Sequence, residues 1–390
     1  MSRLAMVAHA VYPGDPRLRR QADALTRAGH EVDLFVLRAD GEEAEEQQGS
    51  VRIVRLPINR AFGGLVGHLA EYLAFAGIAA IRLAREHRRR RYRLVQVATV
   101  PDFLAFAAAP LRLAGVPLLL DLHEDMPEFY RDRFGGWAQR AMMPIVTGVT
   151  RASAAVADEL ITVHEPLRRL SIARGVPPEK IAVVMNSADA RLFDPSRHPR
   201  RPFMEDGELR LHHHSNLQRI YGVETIVEAV ARIDEAFPVR VDIYGDGPYR
   251  PALEAAVART GTAHRVHLNG PVPLDDLPRL IAAADIGLVP NLPEPYLQFS
   301  LSTKLLELAA MGTPVIASDL ATFRAHFTDD AMRFVPGGDP DALAAAILGL
   351  AADPAAAAAL GREAQRQAAA YAWDAQAARY LVIVERLLAR

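Results

Sequence analysis

Arg3–Leu37 reads RLAMVAHAVYPGDPRLRRQADALTRAGHEVDLFVL. Arg3–His9 is a short apolar strand, and the loop Ala10–Arg17 carries Pro13-Gly14-Asp15-Pro16. Leu18–Ala28 is helical and stops at Gly29, and Glu31–Leu37 is the next strand. Strand, glycine-bearing loop, helix and strand in that order open a doubly wound α/β sheet. No G-x-G-x-x-G follows the first strand, so the stretch is not a dinucleotide fingerprint.

Working outward, the alternation persists. Asp40–Ser50 is polar and reads as a loop, Val51–Leu56 as a strand, and Leu65–Arg91 as one long helix with a basic end. Leu94–Ala98 is a strand, Asp102–Ala114 a helix and Pro117–Asp121 a fully apolar strand. That strand runs into Leu122-His123-Glu124-Asp125, polar residues placed where open α/β sheets bind ligands. After Ile181–Met185, the segment Pro195–Gly207, PSRHPRRPFMEDG, breaks the period and reads as a domain linker. The βα alternation then restarts. The expected domains are residues 1–200 and 201–373.

In the second half, Pro290–Ser318 reads PNLPEPYLQFSLSTKLLELAAMGTPVIAS: a polar loop, a helix, a Gly-Thr-Pro turn and a buried strand. Ser300 and Ser302 are cap candidates, and Lys304 and Glu307, three apart, share one helix face. A helix N-terminus carrying a Lys and a Glu suits a diphosphate and a ribose, although the same pattern suits surface charges on an ordinary αβ unit. His212-His213-His214 lies on a strand, where neighbours point to opposite faces and three in a row do not converge on one metal ion.

The 390 residues suffice for two cores, and half are hydrophobic. A net charge of −2 argues against nucleic acid as a partner. With no cysteine there is no disulfide, thiolate metal site or Cys nucleophile, which suits a cytoplasmic protein. Leu65–Leu83, the most apolar run, is interrupted by His68, Glu71 and Arg82 and is not a membrane span. The chain enters a strand at once, without a signal pattern. The basic helix end, residues 82–91, reads either as a solvated terminus suited to the helix dipole or as a patch for an anionic membrane face or a phosphate-bearing acceptor.

Set in order, several short segments resemble the family-4 retaining glycosyltransferases. They are Asp15-Pro16-Arg17-Leu18 with Gly29-His30-Glu31-Val32; Asp121-Leu122-His123-Glu124; Val183–Asp189 with Phe193; Tyr244-Gly245-Asp246-Gly247-Pro248; Leu268–Val272; and Lys304–Ser318. The resemblance covers nearly the whole chain. It implies the GT-B architecture: two facing Rossmann-like domains with parallel sheets, and a C-terminal crossover helix, residues 374–390, returning to the first. It further implies a retaining, metal-independent transfer from a UDP- or GDP-type nucleotide-sugar, with no cofactor, to a small-molecule, glycan or lipid-linked acceptor held by the first domain.

The resemblance implies roles for particular residues. Lys304 and Arg219 are candidates to stabilise the leaving diphosphate, and His123 to approach the donor sugar. Glu307 matches the Glu that binds the ribose. Ser300, Leu301 and Ser302 would offer backbone amides to the phosphates, while Asn216, Gly245 and Val272 would frame the nucleotide. Gly14, Asp15 and Arg17 line the first loop, with Gly14 on the donor side and Asp15 and Arg17 on the acceptor side. The chain departs from the family at three places: Asn216 and Tyr221 stand where an Arg and a Lys are usual, and Phe299 where a sugar-binding Glu is usual. Those departures leave two competing readings, a catalytically degraded relative that binds nucleotide or activates a partner, and a nucleotide-sugar epimerase of the same fold.

Overall fold

The protein is described by a computed structural model covering residues 1–58, 64–127, 130 and 136–390. It separates into two compact units, Met1–Asn186 with Gln376–Arg390, and Ser187–Ala375.

The first unit contains β1 (Arg3–Val11), α1 (Pro16–Arg27), β2 (Glu31–Leu37), β3 (Glu45–Gln48), β4 (Val51–Leu56), α2 (Gly64–Arg90), β5 (Leu94–Ala98), α3 (Ala109–Leu113), β6 (Leu118–Leu122), α4 (Gly136–Val156), β7 (Glu159–Thr162), α5 (Glu165–Ala173) and β8 (Ile181–Val183). The strands form one sheet in the order β3-β4-β2-β1-β5-β6-β7-β8. Every pairing is parallel except β3 with β4. Parallel strands are covered on both faces, so β5 and β6 are buried along their whole lengths. Asp15 starts α1: its carboxylate accepts from Arg17 N at 2.9 Å, and Pro16 occupies the first turn, where no amide is needed.

The second unit contains β9 (Leu209–His214), α6 (Val223–Arg232), β10 (Val239–Tyr244), α7 (Arg250–Thr260), β11 (Val266–Leu268), α8 (Leu277–Ala282), β12 (Ile286–Val289), α9 (Thr303–Ala310), β13 (Val315–Ser318), α10 (Ala321–Arg324), β14 (Arg333–Val335), α11 (Pro340–Ala352) and α12 (Pro354–Ala369). Its sheet, all parallel, runs β11-β10-β9-β12-β13-β14. One core lies between this sheet and α6, α7 and α11, and the other packs α8, α9 and α12 against it. The last helix, α13 (Trp373–Leu388), carries Gln376–Arg390 of the first unit. Among the described residues no single helix is long and apolar enough to cross a membrane.

Three expectations are corrected. Asp40–Ser50 contains β3, an antiparallel edge strand. Its residues Glu45-Glu46-Gln47-Gln48 give no apolar alternation to read, as befits an edge that must not pair further. Asp102–Ala114 is a 3-10 turn, Asp102–Ala108, followed by the short α3 rather than one helix. Pro195–Gly207 belongs to the second unit, which begins at Ser187. Arg200 bonds Thr313 Oγ1 at 2.6 Å and the Ala284 carbonyl at 2.9 Å, and Met204 N donates to Asp285 at 3.1 Å. Its prolines and charges are thus fastened to the second sheet, whose strands begin beside it.

Candidate functional site

In the second unit, the residues of interest gather at the carboxyl ends of β9, β10 and β12, where parallel α/β sheets bind ligands. Strand periodicity divides the three histidines at the end of β9. His212 and His214 share a face, their Nε2 and Nδ1 atoms 2.9 Å apart, while His213 turns the other way to the Leu288 carbonyl and Ser215 Oγ. Burial holds His212 and His213 far below the usual imidazole range, and both are neutral. With their ring nitrogens so engaged they form no metal cluster, and no group of metal-ligating side chains occurs among the described residues.

His214 Nε2 lies 2.9 Å from Glu307 Oε2, and both side chains are nearly buried. Glu307 is therefore not a surface charge. Lys304, one turn earlier on α9, is also buried, at 6% exposure. Its ammonium makes no hydrogen bond with the described residues and sits 4.2 Å from the centre of the Tyr221 ring. Burial lowers its pKa to about 7, against the opposing pull of the Glu307 carboxylate. Tyr221, one of the departures from the family pattern, is the platform for this cation.

Other expected residues take different places. Arg219 is exposed and reaches Glu294 at 2.5 Å, so it is spent on a surface pair. Ser300 N already donates to the Leu297 carbonyl at 3.3 Å and is not free for a phosphate. Ser302 occupies the cap position of α9 without a side-chain bond, and neither serine caps the helix. Leu301 and Val272 pack against the second core. Asn216 is exposed, with Oδ1 over Gly247, where a Cβ would come within 2.4 Å of it. Gly245 has φ +128°, and a Cβ there would lie 1.9 Å from the Ser215 carbonyl oxygen. The β9 and β10 loops approach so closely that only glycine fits.

In the first unit, Asp15, Arg17 and His123 line one polar pocket, together with His9, Thr99 and Glu124. Gly14 is an exposed turn residue outside this lining. Arg17 grips Asp15 at 2.6 and 3.0 Å. Burial alone would raise the Asp15 pKa, but the hydrogen bonds and charge of Arg17 bring it down to about 2. His123 follows β6, and its Nε2 is 3.2 Å from Asp121 Oδ2. That same oxygen accepts from Gln21 Nε2 at 2.6 Å; Gln96 Nε2 donates to Gln21 Oε1 at 2.8 Å, and Tyr380 donates to Gln96 Oε1 at 2.5 Å. This buried chain sets the orientation of the imidazole. Sequence reasoning misses it because its members lie on α1, β5, β6 and α13, as far apart in the chain as Gln21 and Tyr380. His9 pairs with Glu71 at 3.1 Å on the same side and is likewise not foreseen.

Comparison with known proteins agrees with both halves. Residues 14–187 match the profile of a glycosyl transferase 4-like domain, and residues 209–353 that of glycosyl transferases group 1. The 2-deoxystreptamine glucosyltransferase of Streptomyces kanamyceticus is 27% identical over 323 residues, 78% of this chain and 74% of that one. A D-inositol 3-phosphate glycosyltransferase of Corynebacterium urealyticum is 32% identical over 181 residues, 44% of this chain and 41% of that one. Among solved structures, a sucrose-phosphate synthase from Thermosynechococcus elongatus superposes with a TM-score of 0.81 at 21% identity over all of both chains. Anabaena HepE in complex with UDP superposes with a TM-score of 0.71 at 19% identity over 99% of this chain and 100% of that one. With two parallel α/β domains and matches along both, the chain belongs to the group 1, family-4-like glycosyltransferases of GT-B fold, and is an enzyme of that class.

Proposed function

We propose that this glycosyltransferase takes a sugar from a UDP- or GDP-type nucleotide-sugar bound by the second domain and passes it to an acceptor hydroxyl held by the first, with retention of configuration and without a metal. The observation that carries the reading is the buried Lys304 ammonium, without a hydrogen-bonding partner among the described residues, one helical turn from Glu307 at the start of α9. A buried cation of that kind is stabilised by an anion placed beside it, and a diphosphate is such an anion. The amides at the N-terminus of α9 add donors aimed the same way.

In this reading the bond from the anomeric carbon to the diphosphate breaks while Lys304 takes up the charge growing on the phosphate oxygen. The leaving phosphate accepts the proton of the incoming hydroxyl on the same face of the sugar. Glu307, held at one oxygen by His214, accepts from the ribose hydroxyls with the other. His123, oriented by Asp121, contacts the sugar from the acceptor side. A fixed cation and helix amides supply the charge that a divalent metal supplies elsewhere, so activity is expected to survive EDTA.

Calorimetry with UDP and GDP tests the reading. One of them should bind the wild type in the micromolar range, and Lys304→Ala and Glu307→Ala should each weaken it at least tenfold. A protein that binds neither nucleotide does not use a UDP- or GDP-type donor. Retention is read from the anomeric configuration of the product by NMR.

A further inference from the structure

The first domain holds a second cavity, of about 230 Å³, between α2, the turn at Asp102 and α4. Its wall is apolar, built by Leu69, Phe103, Met126, Ile145, Val146 and Val149. It adjoins the polar His123 pocket, because Tyr72 and Val100 line both. A cavity of about 150 Å³ lined by aliphatic and aromatic side chains holds a benzene ring. This one is larger and takes a ring with a short substituent or a branched chain.

Among the described residues, one acidic side chain stands on that wall. Asp102 is 2% exposed. Its Oδ2 accepts from Thr150 Oγ1 at 2.5 Å, and Thr150 also lines the cavity. Its Oδ1 is buried and has no hydrogen-bond partner among the described residues. An unpaired buried carboxyl oxygen is destabilising, and a correctly placed ligand group recovers the loss. Burial pushes the Asp102 pKa up to about 7, so near neutral pH it is both carboxylate and acid. A hydroxyl satisfies either form, since it both donates and accepts. A hydrocarbon satisfies neither.

We infer that the acceptor is an apolar molecule with two hydroxyls: its hydrophobic body fills the cavity and presents one hydroxyl to Asp102, and its reacting end carries the other past Tyr72 and Val100 to the His123 pocket. Asp102 is the specificity-determining residue: it selects a hydroxyl-bearing body over a bare hydrocarbon. The inference rests on the first domain being the acceptor side, and it narrows the acceptor to molecules more apolar than a free sugar.

The test uses the full-length protein and the neutral dye 1-aminonaphthalene, close in size to a ring with a short substituent, whose fluorescence rises in apolar sites. The dye should bind the wild type with about one-to-one stoichiometry. Val149→Trp, which fills the cavity, should weaken it at least tenfold. On the wild type, 4-propylphenol should displace the dye at least fivefold more effectively than propylbenzene. In Asp102→Ala that preference should fall below twofold. Equal displacement by the two compounds on the wild type, a comparison that needs no variant to fold, overturns the role of Asp102. Absence of dye binding, or binding unchanged by Val149→Trp, overturns the cavity as a binding site. UDP and GDP titrated in parallel keep the two readings apart. Nucleotide binding without dye binding sinks only this inference, whereas dye binding without nucleotide binding sinks the UDP- or GDP-donor reading and leaves the cavity standing.

Discussion

Lys304 is one of only two lysines in a chain with 45 Lys and Arg together. Arginine keeps its charge wherever it is placed, whereas a lysine can release its proton when buried. With its pKa lowered to about 7, Lys304 is mostly neutral at pH 8 in the free protein. A diphosphate beside it favours the charged form, so nucleotide binding at pH 8 should take up close to one proton. The measurement is the dependence of the calorimetric binding enthalpy on the ionisation enthalpy of the buffer; Lys304→Met should abolish the uptake, and an uptake near zero in the wild type would remove the lysine from the diphosphate site. The same shift has a sign for stability. Between about 7 and the unfolded value of 10.5 the folded state holds fewer protons than the unfolded one, so this group's contribution rises with pH across that window and is least favourable below it. The melting-temperature difference between Lys304→Met and wild type should therefore shrink as the pH rises from 7 to 9. Lys304 and Glu307 are legible in the sequence because both fall on one short helix with a readable start and stop. Their partners Tyr221 and His214 are not, since a turn and a strand end, 83 and 93 residues away respectively, must first be folded beside them.

At the scale of elements, close approach and edge chemistry decide what can be read. The turn at Gly245 is visible as Gly-Asp-Gly-Pro, but its cause is the Ser215 carbonyl on the neighbouring loop. Gly245→Ala should therefore destabilise the second domain by about 2 kcal/mol or more, measured by denaturant or heat, because the new methyl meets backbone rather than a flexible side chain. The basic end of α2 carries the membrane question. Arg82 is paired with Glu45 and Glu86, and Arg90 lies 2.6 Å from the buried Asp33, so part of the basic run is consumed by the fold. Arg90→Ala should cost about 1–3 kcal/mol through the weakened Asp33 cluster and leave flotation on anionic vesicles unchanged. A loss of flotation without a loss of stability would reverse that assignment. β3 shows why part of this element was hidden: its glutamates are there to pair Arg52, Arg55 and Arg82, which no hydrophobic period records.

At the scale of the whole molecule, the alternation of strands and helices already implies two doubly wound sheets, but not their strand orders, which depend on crossovers between distant segments. The place of the chain's end is the clearest example. Gln376–Arg390 follows the second unit in sequence yet belongs to the first. There Arg386 and Arg390 pair with Glu159 at the start of β7, Glu385 meets His30 at 2.9 Å, and the Tyr380 hydroxyl closes the chain through Gln96 and Gln21 to Asp121 and His123. Tyr380→Phe removes one oxygen and leaves the buried Gln96 carbonyl without its donor, at a cost of about 1–3 kcal/mol. In a unit of this size that lowers its melting transition by several degrees. The freed Gln96 side chain no longer fixes Gln21 and Asp121, so the His123 imidazole loses its orientation. Turnover should fall several-fold, while UDP or GDP binding, which the proposed function assigns to second-unit residues, should stay within about twofold of wild type. Equal losses of nucleotide affinity and turnover would place Tyr380 in a general folding role instead, and unchanged turnover with a lowered melting temperature would detach the buried chain from the work of His123.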